Sequence, residues 1–424
     1  MSFARASPRR ASTAVARRGG RDKKTSRATA RAFDYDDAFA RGRRRGGAPP
    51  TFVSPMEGLG DARFRIALHA DGRGGFTEAC KEFIRIPGTL PRGAVAEKIV
   101  KNLCARYDAD ELGNVPLGAQ IMGSDAELLT LAARHLGEDK NAPRVDLNCG
   151  CPASVVTGKG AGSSLLKDPK FVYDAVSAVA RGVEGTNAIV TMKLRTGYDD
   201  SGLLRENLCA ARDAGARFIS LHARTRAQGY SGRANWDDIA FAKEVLGDDV
   251  PIIGNGDVTS PLRCAELLRV SNADGVGIGR GAVQDPLIFR RIAATVKRDV
   301  NGVWRVTEDA FEREFEVDFV VTFLRTFAEE VFKTENKLNS KRGSGVQERE
   351  LEAFKVGKLK SIVKYLFAGN DALKPHIQEV MRIDPLKMSA EDALDTIERL
   401  VVREWVTPQH VLVDAFSARA QYQK

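Results

Sequence analysis

Much is missing from this chain, and each gap excludes something. No stretch of apolar residues nears the ~20 needed to cross a bilayer, so no membrane partner is expected. The six cysteines (Cys80, Cys104, Cys149, Cys151, Cys209, Cys264) lack C-x-x-C spacing. That pattern argues against a disulfide framework and a zinc site, and no metal is expected. No G-x-G-x-x-G follows the first apolar run, which counts against an open dinucleotide-binding sheet. Acids are scarce only at the amino end. Residues 1–48 hold fourteen Lys/Arg against four Asp/Glu, a net of +10 in a chain whose total is +9, which leaves about −1 for everything after. A polyanionic partner must therefore meet a local patch rather than a general field.

Residues 1–49, rich in Arg, Ala, Ser, Thr and Gly, are expected to be a disordered basic segment resembling a transit peptide for a chloroplast or mitochondrion. The alternative is a cytoplasmic protein whose basic arm, Arg41 to Gly47, touches RNA.

From Thr51 the chain alternates between short apolar runs and amphipathic helical stretches. Strands are expected at 51–56, 82–86, 116–122, 144–148, 189–194, 217–222, 251–255 and 275–279, with helices at 126–136, 170–179, 203–214 and 261–270 between them. Eight strands alternating with helices fit a closed (β/α)8 TIM barrel over 50–300, because parallel strands need helical crossovers and a ring has no edge. After Gly281 the strand signals stop. Phe311, Phe315, Phe319, Phe323 and Phe327 recur every fourth residue, which predicts a helix in a smaller helical domain over 306–405. The run 333–350 is expected to be its long loop, and 406–424 a helix or tail.

Polar residues end nearly every strand. They are Pro55-Met56-Glu57, Gln120, Asn148 with Cys151, Lys193 with Arg195, His222 with Arg224, Asn255-Gly256-Asp257 and Gly279-Arg280. In a barrel these share one mouth. Glycines after the last two strands let backbone N–H groups approach a phosphate, while Gln120, Asn148 and Lys193 suit a flat heterocycle that carries negative charge. Flavin mononucleotide (FMN) matches that description. His69 and His135, on helical patterns, are expected at the surface.

These motifs resemble the tRNA-dihydrouridine synthase family from about Thr51 to Leu366. The carriers are SPMEG (54–58), DLNCGCP (146–152), GAGSSLLKDP (160–169), MKLRTG (192–197), HARTRAQGYSG (222–232), IIGNGD (252–257) and GIGRGA (277–282). PMEG, EFIRI (82–86) and DLNCGCP are most similar to the bacterial C-type subgroup, which acts on a uridine early in the D-loop. The departures are Lys81 where that subgroup has Thr, Ile362 where an aromatic is usual, and an insertion over 105–115.

The resemblance implies an FMN enzyme that takes electrons from NADPH and reduces a tRNA uridine. A monomer is expected. The same resemblance makes Cys151 the general acid, delivering a proton to the 5-carbon of the base as hydride reaches the 6-carbon. Pro55, Met56, Gln120, Lys193, His222, Asn255, Gly256, Asp257, Gly279 and Arg280 would hold the cofactor. Asn148 and Arg195 would face the base, and Arg224, Tyr230, Lys358 and Lys360 would meet tRNA. Two other readings are a flavoenzyme for a free pyrimidine and a tRNA-binding protein without catalysis.

Overall fold

The computed structural model describes residues 33–307, 311–339 and 346–408, so the expected transit segment up to residue 32 and the tail from 409 lie outside the described residues. Eight parallel strands form the barrel. They are β1 (Thr51–Val53), β2 (Glu78–Cys80), β3 (Leu117–Met122), β4 (Arg144–Cys149), β5 (Ile189–Arg195), β6 (Phe218–His222), β7 (Ile252–Asn255) and β8 (Gly275–Ile278). The ring closes through β8 on β1 and β2 on β3. Every residue of β3 and β4 is buried, as strands covered on both faces require. Three of the intervening helices start on side-chain caps: Asp125 accepts from the Leu128 N–H, Asp168 precedes Pro169, and Ser260 precedes Pro261.

One strand differs from expectation. The second stave is Glu78–Cys80, and only Ile84–Arg85 of the expected 82–86 is extended, pairing alongside β3. Glu78 is fully buried inside the barrel, where its Oε1 accepts from Arg144 Nε at 2.7 Å. A charged strand residue with an interior partner looks like a loop in sequence. Gly118 makes this pair fit, because a Cβ there would lie 2.6 Å from Glu78 Oε1.

The basic segment is ordered at its end. Tyr35–Arg43 is a helix capped by Asp34, whose Oδ1 accepts from the Asp37 N–H at 2.9 Å. Tyr35 and Phe39 pack on Phe52, Phe218 and Ile253, closing the barrel's amino-terminal end. The expectation of disorder through 49 fails here because two aromatics one turn apart find an apolar floor. Losing the cap in Asp34→Ala should cost about 1 kcal/mol, read as a lower denaturant midpoint.

Beyond the barrel, helices Arg313–Asn339, Val346–Ala368 and Ala390–Glu404 pack together. The phenylalanine stripe also grips the barrel: Phe323 lies edge-on to Phe64 of helix Ala62–Leu68 at 6.0 Å. The expected long loop at 333–350 is instead mostly the end of one helix and the start of the next. His135 is buried and pairs with Asp139 at 3.0 Å, and His69 is half-buried, so neither is a plain surface residue. A buried ionic cluster joins the two parts. Arg291 reaches Asp285 at 2.9 Å and Glu316 at 2.6 Å, and the other oxygen of Glu316 accepts from Trp405 Nε1 at 2.9 Å and Thr407 Oγ1 at 3.1 Å.

Candidate active site

Strand register lays the expected residues side by side. Gln120 is opposite Asp146, Asn148 opposite Lys193, Arg195 opposite His222, and His222 opposite Asn255. All but Asp146 sit toward the carboxyl ends of their strands, where the turns that follow can add further groups.

Just past β4 the chain bends sharply. Asn148 Oδ1 accepts from the N–H of Gly150 at 3.0 Å and of Cys151 at 2.9 Å, an Asx turn that fixes where the thiol starts. Cys151 is 9% exposed and packs with Met122 and Val156. Burial raises its pKa, with Glu57 adding to the effect, while the Ala153 N–H, Arg195 and Arg85 oppose it. The group is thus a neutral thiol at ordinary pH, as a proton donor must be. Cys149 is fully buried, and burial pushes its thiol higher still.

A cleft of about 280 Å³, or about 910 Å³ with its open mouth, lies beside this turn. Its wall contains Pro55, Met56, Lys193, His222, Tyr230, Asn255, Gly256, Asp257, Gly279 and Arg280. Burial and then the charge of Arg195 lower the Lys193 pKa to about 8. Its ammonium makes no hydrogen bond or ion pair with any described residue, so it is available to an acceptor in the cleft. Burial, followed by the charges of Lys193, Arg195, Arg224 and Arg280, lowers the His222 pKa to about 2. That imidazole is neutral and can both donate and accept.

Backbone shape completes the far wall. Gly256 takes φ +126° and Asp257 φ +58°, a turn in which a Cβ on Gly256 would meet Ala234 Cβ at 2.7 Å. Asn255 Nδ2 donates to Ser54 Oγ at 2.8 Å and the Gly277 carbonyl at 2.7 Å, tying β7 to β8 and to the segment after β1.

Several expected contacts have other employment. Arg195 is 2% exposed and its guanidinium donates to the carbonyls of Gly150, Thr225 and Gly229 at 2.7 to 2.9 Å. Arg224, 3% exposed, forks onto Asp257 at 2.8 Å and the Gly232 carbonyl at 2.7 Å, so it braces loops rather than offering a free surface. Gln120, wholly buried, is held between Asp146 and Asn148. Lys360 donates to the carbonyls of Met381 and Ile383 at 3.0 and 2.6 Å, tethering the helical domain internally. Lys358 keeps its ammonium over the half-exposed Phe354 ring at 5.8 Å, and Tyr230, 61% exposed, lies under Arg280 at 4.6 Å. Sequence reasoning missed Gln284 and Tyr365, which also line the cleft. Tyr365 comes from the helical domain, and no strand-end pattern points to it.

A family profile described as dihydrouridine synthase matches residues 52–341. The chain is 36% identical over 241 residues to a tRNA-dihydrouridine(16) synthase of Cupriavidus necator, covering 57% of this chain and 72% of the relative. It is 35% identical over 248 residues to a tRNA-dihydrouridine synthase B of Xanthomonas axonopodis pv. citri, covering 58% and 69%. A synthase B of Pseudomonas syringae pv. tomato is 41% identical over 180 residues, 42% of this chain and 51% of that one.

Proposed function

Because the chain belongs to the dihydrouridine synthase family, we propose that it reduces a uridine in the D-loop of tRNA to 5,6-dihydrouridine, with FMN as cofactor, NADPH as reductant and Cys151 as general acid. The observation that carries this reading is the pairing of a neutral, buried thiol on a fixed turn with an unpartnered ammonium in the neighbouring cleft. Relatives named for position 16 support a target early in the D-loop. A basic amino-terminal composition supports an organelle as the place of work.

The cleft fits a flavin. Lys193 supplies a cation without a protein partner, His222 a neutral ring, and the turns at Gly256 and Gly279 bare backbone for a phosphate. Pro55 and Met56 add apolar lining beside Asn255, Asp257 and Arg280. When bound, the flavin supplies the hydride. The protein's own part is to hold the base, keep water out and present the Cys151 proton to the 5-carbon; the thiolate left behind is reprotonated from solvent. Arg195 and Arg224 serve by holding the loops in place, and Tyr230 and Lys358 are the surface groups offered to tRNA. The target base must leave its stack at a cost of a few kcal/mol, least in a loop.

Lys193 gives the site a pH signature. Its charge is present below about 8 and lost above it, so FMN affinity should fall on going from pH 7 to 9, by up to about tenfold per pH unit beyond the pKa. Lys193→Met should bind FMN weakly at every pH, as read by flavin fluorescence titration.

Purified protein, NADPH and unmodified tRNA make the deciding assay. Dihydrouridine mapped to a D-loop position supports the proposal, whereas turnover of free uridine at an equal rate would assign the enzyme to metabolite chemistry. Gel filtration tests the proposed monomer, and a fluorescent fusion tests the organelle.

A further inference from the structure

A directional chain of hydrogen bonds runs from the barrel interior to the turn that carries Cys151. Asp146, on β4 and 2% exposed, accepts through Oδ1 from Thr191 Oγ1 at 2.6 Å, with Arg144 Nη1 3.0 Å away. Its Oδ2 accepts from Gln120 Nε2 at 2.6 Å. Gln120 Oε1 accepts from Asn148 Nδ2 at 2.9 Å, and Asn148 Oδ1 accepts from the Gly150 and Cys151 N–H groups.

The polarity of this chain is set at both ends. A carboxylate only accepts and a backbone N–H only donates, whereas each amide between them could face either way. Because the Asp146 carboxylate, paired with Arg144, offers only acceptors, the Gln120 NH₂ must face it. The Gln120 oxygen then faces Asn148, and the Asn148 oxygen faces the turn. Reversing either amide would bring donor against donor in a buried, low-dielectric setting.

We propose that Asp146 is a positioning residue: it fixes the orientation of two amides and through them holds the Cys151 turn in its reactive shape. The proposal builds on the reading of Cys151 as proton donor, but the relay itself is a statement about hydrogen bonds and can be tested without that reading. Asp146 is not among the residues that line the cleft, and its carboxylate bonds Gln120 and Thr191 rather than the thiol.

Asp146→Asn isolates the effect, because its size is nearly unchanged. Arg144 and Thr191 crowd one side of residue 146, so the new NH₂ cannot settle beside the guanidinium and turns toward Gln120. Gln120 must then flip, Asn148 follows, and its NH₂ meets the Gly150 and Cys151 N–H groups. The swapped pair Asp146→Asn with Gln120→Glu restores the original polarity: the residue 146 amide donates to the new carboxylate, which accepts from Asn148 as before.

Amide hydrogen exchange over residues 149–151 of the full-length protein reads the relay directly. Asp146→Asn should speed exchange there at least tenfold, and the swapped pair should bring it back near the wild-type rate. In turnover, Asp146→Asn should lower kcat by about 10²-fold with little change in KM for tRNA, the size expected when a reacting group is misplaced by about an ångström. Unchanged exchange in the single variant would overturn the proposal, and so would a swapped pair that neither folds nor regains protection. Altered and restored exchange, coupled with full activity in Cys151→Ala, would keep the relay and reject Cys151 as the acid.

Discussion

Cys151→Ala keeps the yellow flavin spectrum and the affinity for tRNA, and forms dihydrouridine about 10²- to 10⁴-fold more slowly: this is the result expected if the thiol is the general acid. The separation of effects follows from placement. Cys151 does not line the cleft that holds Lys193 and His222 and clusters instead with the buried Met122 and Val156, so removing sulfur leaves the cleft wall intact. The loss falls on kcat because a proton donor acts in the transition state and adds little to ground-state binding. Cys151→Ser should recover little, since a hydroxyl in the same place is a far weaker acid. The measurement is single-turnover reduction of tRNA by enzyme reduced in advance, which removes NADPH entry from the observed rate. An unchanged rate in the alanine variant would falsify the assignment.

The second large effect concerns stability. In Glu316→Ala, the fully buried Arg291 loses one of its carboxylate partners, while Trp405 Nε1 and Thr407 Oγ1 lose their acceptor. Breaking such a cluster from one side typically costs about 3–5 kcal/mol, because the remaining charge stays out of water with incomplete compensation. Thermal unfolding followed by circular dichroism should show a midpoint lower by several degrees. Since Glu316 belongs to the helical domain and Arg291 to the barrel's last helix, proteolysis between the two parts should quicken as well. A wild-type melting curve for this variant would mean that the cluster contributes nothing to their union.

The barrel was legible because its strands are apolar runs broken abruptly by polar residues, a pattern that burial on both faces imposes. Glu78–Cys80 escaped that logic, since its acid is satisfied by Arg144, sixty-six positions away. The helix Tyr35–Arg43 escaped too, hidden in a basic segment whose two aromatics make sense only over an apolar floor formed by Phe52, Phe218 and Ile253. At the mouth, residue types indicated which groups could take part but not what each touches. An arginine at a strand end fits a ligand contact and a loop brace equally well, and Arg195 and Arg224 turn out to grip main-chain carbonyls and Asp257. Lys360 differs from Lys358 for a similar reason: two carbonyls happen to lie within its reach. Tyr365 could not be found from its own surroundings, because only the packing of the helical part against the barrel brings it to the cleft.

That tyrosine makes the cleft common property of two structural halves. Modular proteins often diversify by trading one recognition module for another while the catalytic half stays as it was. Here such a trade would carry away part of the cleft's wall, so the two halves are bound to be inherited together.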